Sequence, residues 1–565
     1  MKKMPLVSYF TLSVGITTLF LSACTSQYEN DGASPFSVSP YSSVIISPKY
    51  IATSGGILNG KSVLIKDGII EDVFANAEVA QKAKLNQSLI IQAPDDVLSP
   101  AFINTHDHIN YNQKGPLPEL SCENKMKNPD VTYNQRNDWR KGCRGLMKLT
   151  APADNQPEVV AWNELRQLIS GTTLVVSNGG TPGFVRNLGD SDDKNNLREG
   201  LHSPSVRADT FPLGDTAGCD YQLPAGDGYP KHPSVQQTAG VIYIAHMAEG
   251  VDAAARNEFT NISTPAGTEN DKRVNILGKN VGLVHMVAVT PSDIQKVKDS
   301  KTTVIWSPRS NMALYGNTAP VALLSQQGIN IALSTDWLYS GSANLLDELQ
   351  VAQKLNADYF HHILSNQQLW KMVTVNPAAL LDAPLGDIKP GRIADVVLFN
   401  VASRDKASLQ DIYGLVINSS LQDVDMVMRS GSPVYGDKAL LATFTQTEPE
   451  QWDPVDGAEF TSKLSNKIIN TVNETRDRYP QALHFAQLAA MNQNTWGLIP
   501  DVNTEACPLP LRPLNRLANP EHEVPYPAFP RAEDKDQDGI KDGKDNKTEI
   551  FNPLRPVDEG KQINW

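Results

Sequence analysis

The sequence predicts an α/β chain. It reads as a (β/α)8 TIM-like barrel over residues 99–385, a β-sandwich domain assembled from segments on both sides of the barrel, and a C-terminal extension. Three observations carry this reading. Short apolar runs separated by turns fill residues 43–98 and return over 386–442, the texture of a small β domain. Between them, continuous apolar runs alternate with helical stretches, as expected of parallel strands covered on both faces. That middle stretch, about 285 residues, is long enough to close eight βα units.

The composition sets outer bounds. With 565 residues, 40% hydrophobic and 20% charged, the chain can bury a large core and exceeds one ordinary domain. It is neither a collagen, nor a coiled coil, nor a wholly disordered chain. Asp plus Glu number 63 against 50 Lys plus Arg, a formal charge of −13. Phosphate binding needs a basic footprint, so no nucleic-acid partner is expected. Five cysteines in this length exclude a disulfide-framework miniprotein.

Taken in order, the first element is an address. Lys2 and Lys3 precede an apolar run over residues 5–23, the pattern of a secretory signal. It ends Leu21-Ser22-Ala23-Cys24, which resembles the lipobox of bacterial lipoproteins. That resemblance implies a signal peptide over 1–23, lipidation at Cys24 and attachment to the cell envelope. Thr25 stands where an inner-membrane retention Asp would sit, which favours the outer membrane. Residues 24–42, rich in Ser, Asn, Gly and Pro, read as a flexible tether. In such a compartment disulfides persist. Cys122 and Cys143, 21 residues apart in one polar loop region, are the expected pair, worth roughly 3 kcal/mol on the chain-entropy model. Free buried thiols are the alternative, and Cys219 and Cys507 have no assigned partner.

Strand-like runs of the β domain include Val44-Ile45-Ile46, Ser62-Val63-Leu64-Ile65-Lys66 and Ser88-Leu89-Ile90-Ile91, with Asp67-Gly68 as a tight-turn dipeptide. Barrel strands are expected at 172–176, 241–245, 282–284, 303–306 and 329–333. The β texture returns at 393–399 and 424–428. Residues 443–530 form a helical and Pro-rich extension, with helices expected at 463–476 and 481–491 and seven prolines between 508 and 530.

The chemistry concentrates at strand ends. His106 and His108 stand at i and i+2 in Ser99-Pro100-Ala101-Phe102-Ile103-Asn104-Thr105-His106-Asp107-His108. On a strand these two would face the same way, and imidazole is a common ligand for zinc and iron. His246 follows the run over 241–245, His285 follows 282–284, and Asp336 follows 331–335. Each sits where a barrel presents its C-terminal face, the place of chemistry in such folds.

With these residues the chain resembles the amidohydrolase superfamily, in its mononuclear branch of cytosine-deaminase, guanine-deaminase and triazine-hydrolase type enzymes. The resemblance spans roughly residues 44–440. It also rests on His246-Met247-Ala248-Glu249, Ser307-Pro308-Arg309-Ser310-Asn311, Asn376-Pro377-Ala378 and Gly386-Asp387-Ile388-Lys389-Pro390-Gly391. It implies one divalent transition metal, zinc favoured over iron, held by His106, His108, His246 and Asp336. It further implies Glu249 as acid and base, His285 as substrate polariser and Asp336 as acceptor of the water's proton. The expected reaction is hydrolysis of a non-peptide carbon–nitrogen bond in a cyclic or aromatic nitrogen compound, through hydroxide attack on an sp² carbon. Deamination, ring opening and dehalogenation remain open. Two departures bear on the substrate: Trp337 follows the metal Asp where many relatives have Gly, and the 110–144 loop is long.

A second ion site is expected in the acidic tail, 531–565. Asp534, Asp536, Asp538, Asp542 and Asp545 follow a calcium-loop spacing with Gly539 at the sharp turn. The loop resembles those of thrombospondin type 3 repeats. It supports an alternative function, a calcium-dependent surface-binding lipoprotein on a catalytically inactive amidohydrolase scaffold.

Overall fold

The structure is a computed structural model. It describes residues 41–444, apart from 113–131, 150–152, 154, 156, 179, 181–183, 190–200, 215–237, 268–272, 405–410, 438–439 and 441–442. The expected Cys24 lipidation site, Cys122, Cys219, Cys507, the helices at 463–476 and 481–491 and the Asp534–Asp545 calcium loop lie outside the described residues.

Five strands come first: β1 (Ser43–Thr53), β2 (Gly56–Asn59), β3 (Lys61–Lys66), β4 (Ile69–Ala75) and β5 (Ser88–Pro100). Eight short strands follow: β6 (Phe102–Asn104), β7 (Thr172–Val175), β8 (Arg186–Asn187), β9 (Val206–Asp209), β10 (Ile242–Met247), β11 (Val281–His285), β12 (Thr303–Trp306) and β13 (Ile331–Leu333). Three more end the fold: β14 (Val396–Asn400), β15 (Val424–Arg429) and β16 (Ser432–Gly436).

The outer strands form one sheet in the order β16-β15-β14-β5-β1-β3-β4, with β2 paired to β1. Segments far apart in sequence therefore share a layer, and β5 joins them by pairing with both β1 and β14. Ile46, Val63, Ile70, Leu98, Leu398 and Met428, from six of the strands, meet in one core. The β3–β4 turn has positive φ at both Asp67 (50°) and Gly68 (75°), the hairpin geometry that matches strand twist.

The eight central strands are all parallel, in two arcs, β6-β7-β8 and β9-β10-β11-β12-β13. A parallel bridge between Asp107 and Asp336 joins the first strand to the last. The backbone N–H of His108 donates to the Asp336 carbonyl at 2.7 Å, and that of Asp336 to the His106 carbonyl at 3.2 Å. The barrel thus closes through the two segments that carry three of the ligand candidates. Its interior holds Ile103, Leu174, Ile242, Ile244, Val284 and Ile305, plugged by Leu380 and its neighbours. A Cβ on Gly282 would lie 2.8 Å from the terminal methyl of Ile305 and 3.0 Å from that of Leu380, so a larger residue at this point of the barrel wall would push those side chains aside.

Strand limits differ from expectation in a few places. β5 runs through Pro100 and belongs to the outer sheet, and the barrel's first strand begins at Phe102. β13 begins at Ile331, not 329. Strands β8 and β9 were not expected, because Arg186-Asn187 and Val-Arg-Ala-Asp lack the apolar runs that mark buried strands. Arg186 is nonetheless buried, paired with Asp395 of the outer sheet's returning segment. No helix among the described residues is long and apolar enough to cross a membrane.

Candidate metal centre

The ligand candidates arrive from three places on the barrel rim. β6 ends at Asn104, so His106 and His108 lie just beyond the strand, not on it; Asp107 between them carries the bridge. Asp107 is fully buried and tied down: it accepts hydrogen bonds from Arg166 at 3.0 Å, Gln167 at 2.7 Å, Thr335 at 2.7 Å and Asn112 at 2.7 Å. Four donors on the middle residue hold the backbone so that both flanking imidazoles face one point. His246 sits inside β10, one residue before its end, and Asp336 lies three residues beyond β13.

One ligand atom from each of His106, His108, His246 and Asp336 falls within 4.8 Å of the others. His106 Nε2 is 3.1 Å from His108 Nε2, and Asp336 Oδ1 is 3.3 Å and 3.5 Å from these two nitrogens. The rings of His106 and His246 meet edge to face at 4.5 Å. Burial, and then His106 beside it, pushes the His108 imidazole down to about 3. Burial and the neighbouring imidazoles also hold His246 well below its ordinary value. Burial alone would raise the Asp336 carboxyl, but its hydrogen bond with His106 and the nearby His285 and His108 hold it well below the usual carboxylate range. Three imidazoles and one carboxylate with their ligand atoms gathered this closely are the donor set that a divalent transition metal takes. The residues present fit such an ion.

The other oxygen of Asp336 is occupied. Ser310 Oγ donates to Oδ2 at 2.6 Å, and Ser340 Oγ lies 2.7 Å from Ser310 Oγ. Ser310 comes from the helix Pro308–Tyr315, which follows β12.

His285 is the last residue of β11, buried, with its ring 5.2 Å from that of His246. Its Nδ1 lies 2.9 Å from Asn311 Oδ1, whose Nδ2 donates to Thr318 Oγ1 at 3.3 Å. The opposite nitrogen, Nε2, is buried with no hydrogen-bond partner and lies 3.7 Å from Glu249 Oε2. Glu249 follows β10, buried, with Tyr315 donating to its Oε1 at 2.6 Å and Arg136 Nη1 3.6 Å from its Oε2. Trp337, directly after Asp336, stacks on Tyr339 at 5.2 Å and packs against Trp139 at 5.1 Å.

The structure therefore brings His106, His108, His246, Asp336, His285 and Glu249 together at one end of the barrel. Cys143 is buried and disulfide-bonded. Sequence reasoning gave no role to Asp107, Arg136, Trp139 or Tyr315. Ser310 and Asn311 lay within a matched stretch, but spacing alone does not reveal which of the two reaches the carboxylate and which the imidazole.

Residues 235–434 match the model of the amidohydrolase family. A 5'-deoxyadenosine deaminase of Methanosphaera stadtmanae is 30% identical over 405 residues, 67% of this chain and 91% of that protein. A 5-methylthioadenosine/S-adenosylhomocysteine deaminase of Caldicellulosiruptor saccharolyticus is 24% identical over 406 residues, 68% of this chain and 90% of that one. Among solved structures, a zinc complex of atrazine chlorohydrolase from Arthrobacter aurescens superposes with a TM-score of 0.51 at 16% identity, covering 77% of this chain and 100% of that one. A triazine hydrolase variant superposes at 0.52 with 17% identity, over 78% and 100%. The chain belongs to the amidohydrolase family. It is a metal-dependent hydrolase of carbon–nitrogen bonds other than peptide bonds.

Proposed function

We propose that the reaction is hydrolytic deamination of a heteroaromatic amine, with zinc as the ion and a purine nucleoside or a related base as the first substrate class to test. The observation that carries this is the convergence of four ligand atoms within 4.8 Å beside a buried glutamate and a buried, half-satisfied histidine. Deamination is favoured over ring opening and dehalogenation because the relatives above, at 24% and 30% identity, are named deaminases of adenine nucleosides.

His106, His108, His246 and Asp336 would hold a divalent ion, whose chemistry when bound would be to lower the pKa of a water from about 15.7 to about 7. The chain's residues do the rest. Asp336 accepts a proton from the attacking water, with Ser310 fixing its rotation through Oδ2. Glu249 Oε2 faces the reacting region, takes the proton still on the attacking oxygen and delivers it to the leaving nitrogen, while the proton on Asp336 passes to the ring nitrogen, so that water and a heteroaromatic amine become a ring carbonyl and ammonia. His285, its Nδ1 set by Asn311, directs Nε2 at the substrate's developing oxygen.

The compartment and the calcium loop belong to the same proposal. The Lys2-Lys3 start and the Leu21-Ser22-Ala23-Cys24 ending support a lipid-anchored envelope protein of the outer membrane, and the Asp534–Asp545 spacing supports a calcium loop in its tail.

The deciding experiment is ammonia release from a panel of adenosine derivatives, other heterocyclic amines and cyclic ureas, alongside metal analysis. About one equivalent of transition metal and turnover on an amine are expected, with both lost in His106→Ala. An active metal-free His106→Ala protein overturns the proposal.

A further inference from the structure

We infer that Tyr315 is a positioning residue for Glu249, fixing one carboxylate oxygen so that the other is presented to the reacting groups. The half-buried Trp139 and the buried Tyr315 and Glu249 form a donor chain with a single sense. Trp139 Nε1 donates to the Tyr315 hydroxyl oxygen at 2.9 Å, and the hydroxyl lies 2.6 Å from Glu249 Oε1. An indole can only donate, and an ionised carboxylate can only accept. The phenol's one proton therefore goes to Glu249. Oε2 is left facing His285 Nε2 at 3.7 Å and Arg136 Nη1 at 3.6 Å. Arg136 is itself paired with Glu258, so it is held on its far side.

The elements make this arrangement rigid. Tyr315 ends the helix Pro308–Tyr315, whose Ser310 and Asn311 already grip Asp336 and His285. One short helix thus sets three groups of the site. Trp139 comes from the helix Arg136–Lys141, within the long loop that follows the first barrel strand. Tyr315 is fully buried, and burial and the adjacent Glu249 charge push its phenol well above its ordinary value. It stays protonated and donating across the working pH range.

The inference rests on the reading of Glu249 as proton carrier, so its test needs arms that fail separately. In the full-length protein, Tyr315→Phe is expected to lower kcat about 10- to 100-fold with KM within about twofold and metal content unchanged. Trp139→Phe, which removes only the donor into the phenol, is expected to give a smaller loss in the same sense. In a Glu249→Gln background, Tyr315→Phe is expected to cost almost nothing further. An equal factor in both backgrounds overturns the inference, because the hydroxyl would then act on something other than Glu249. A crystal structure of Tyr315→Phe supplies a readout free of activity: the Glu249 carboxylate is expected to turn, and an unmoved carboxylate overturns the positioning role. If the unaltered protein deaminates nothing, the proposed reaction has failed, while the crystal structure still decides the fate of this inference.

Discussion

Two residues of the site hold backbone conformations that side chains with a Cβ avoid. His285 has φ of 73° and Asp336 has φ of 61°, and Ala248 and Met286 beside the site also lie at 50° and 51°. Each such residue costs on the order of 1–3 kcal/mol and persists because its surroundings over-determine it. For Asp336 the surroundings are the bridge to Asp107 and the Ser310 hydrogen bond. Ser310→Ala should therefore keep the fold and weaken the ion's hold, by about 10- to 100-fold in metal affinity. Competition with a chelator measures it, and an unchanged affinity contradicts the role given to Ser310. Glu249→Gln should keep the metal and lower kcat by about 10²- to 10⁴-fold, read as ammonia release on any substrate found active. At this scale the sequence was most legible for residues whose chemistry is uncommon. Histidines and an aspartate at strand ends stand out from an apolar background. Ser310, Tyr315 and Arg136 do not, because a serine, a tyrosine or an arginine is unremarked until its partner is known.

At the scale of elements, the loop after β13 is the tightest piece of construction. A Cβ on Gly341 would lie 1.9 Å from the Thr335 carbonyl oxygen and 2.8 Å from that of Trp337. The chain turns back over the residue that supplies the carboxylate, and only a hydrogen fits between. Gly341→Ala should destabilise by about 1–3 kcal/mol and cut the bound metal, because relief of the clash displaces Thr335 and Asp336. Denaturant titration and metal analysis check the two effects; stability loss with full metal would show that the loop gives way elsewhere. The long strands and the Asp67-Gly68 hairpin were readable from periodicity and turn chemistry. β8 was not, since its pairing comes from the neighbouring strand and its Arg186 is buried against Asp395. Nor could periodicity place His285. Alternation after Val284, which packs in the barrel interior, puts the next side chain on the other face, and the positive φ breaks that alternation.

For the whole molecule, the outer sheet and the barrel are locked by buried charge. Arg186 and Asp395 are both about fully buried, and Asp395 also accepts from the Ser430 backbone at 2.8 Å. Asp395→Ala should destabilise by about 3–5 kcal/mol, since it leaves a buried guanidinium without its partner. A midpoint of denaturation shifted by under a quarter of that would mean that water reaches Arg186. The outer sheet also carries a pH response. Burial, then the charge of Asp425, pushes the Asp96 carboxyl up to about 7. The folded state then binds a proton that the unfolded state has released, in the window from about pH 4 to pH 7. Stability from this group is full below that window and is lost as pH rises through it. Asp96→Asn should flatten the fall in melting temperature across the window and raise it at pH 8, and a curve that stays parallel to the unaltered protein's would assign the slope to other groups.

The sequence by itself determined the alternation of apolar runs, and with it a barrel of parallel strands between two halves of one β layer. It also determined which uncommon side chains stand near strand ends, because the periods of strands and the rarity of histidine are local properties. Only the tertiary structure decided that these ends meet. Closing a barrel brings residues 106 and 336 into backbone contact across more than two hundred residues, and the order of strands around a ring is set by long-range pairing and packing, not by any local preference. The groups that aim the site, Ser310, Asn311 and Tyr315 on one short helix and Arg136 and Trp139 on another, take their roles from that closure alone.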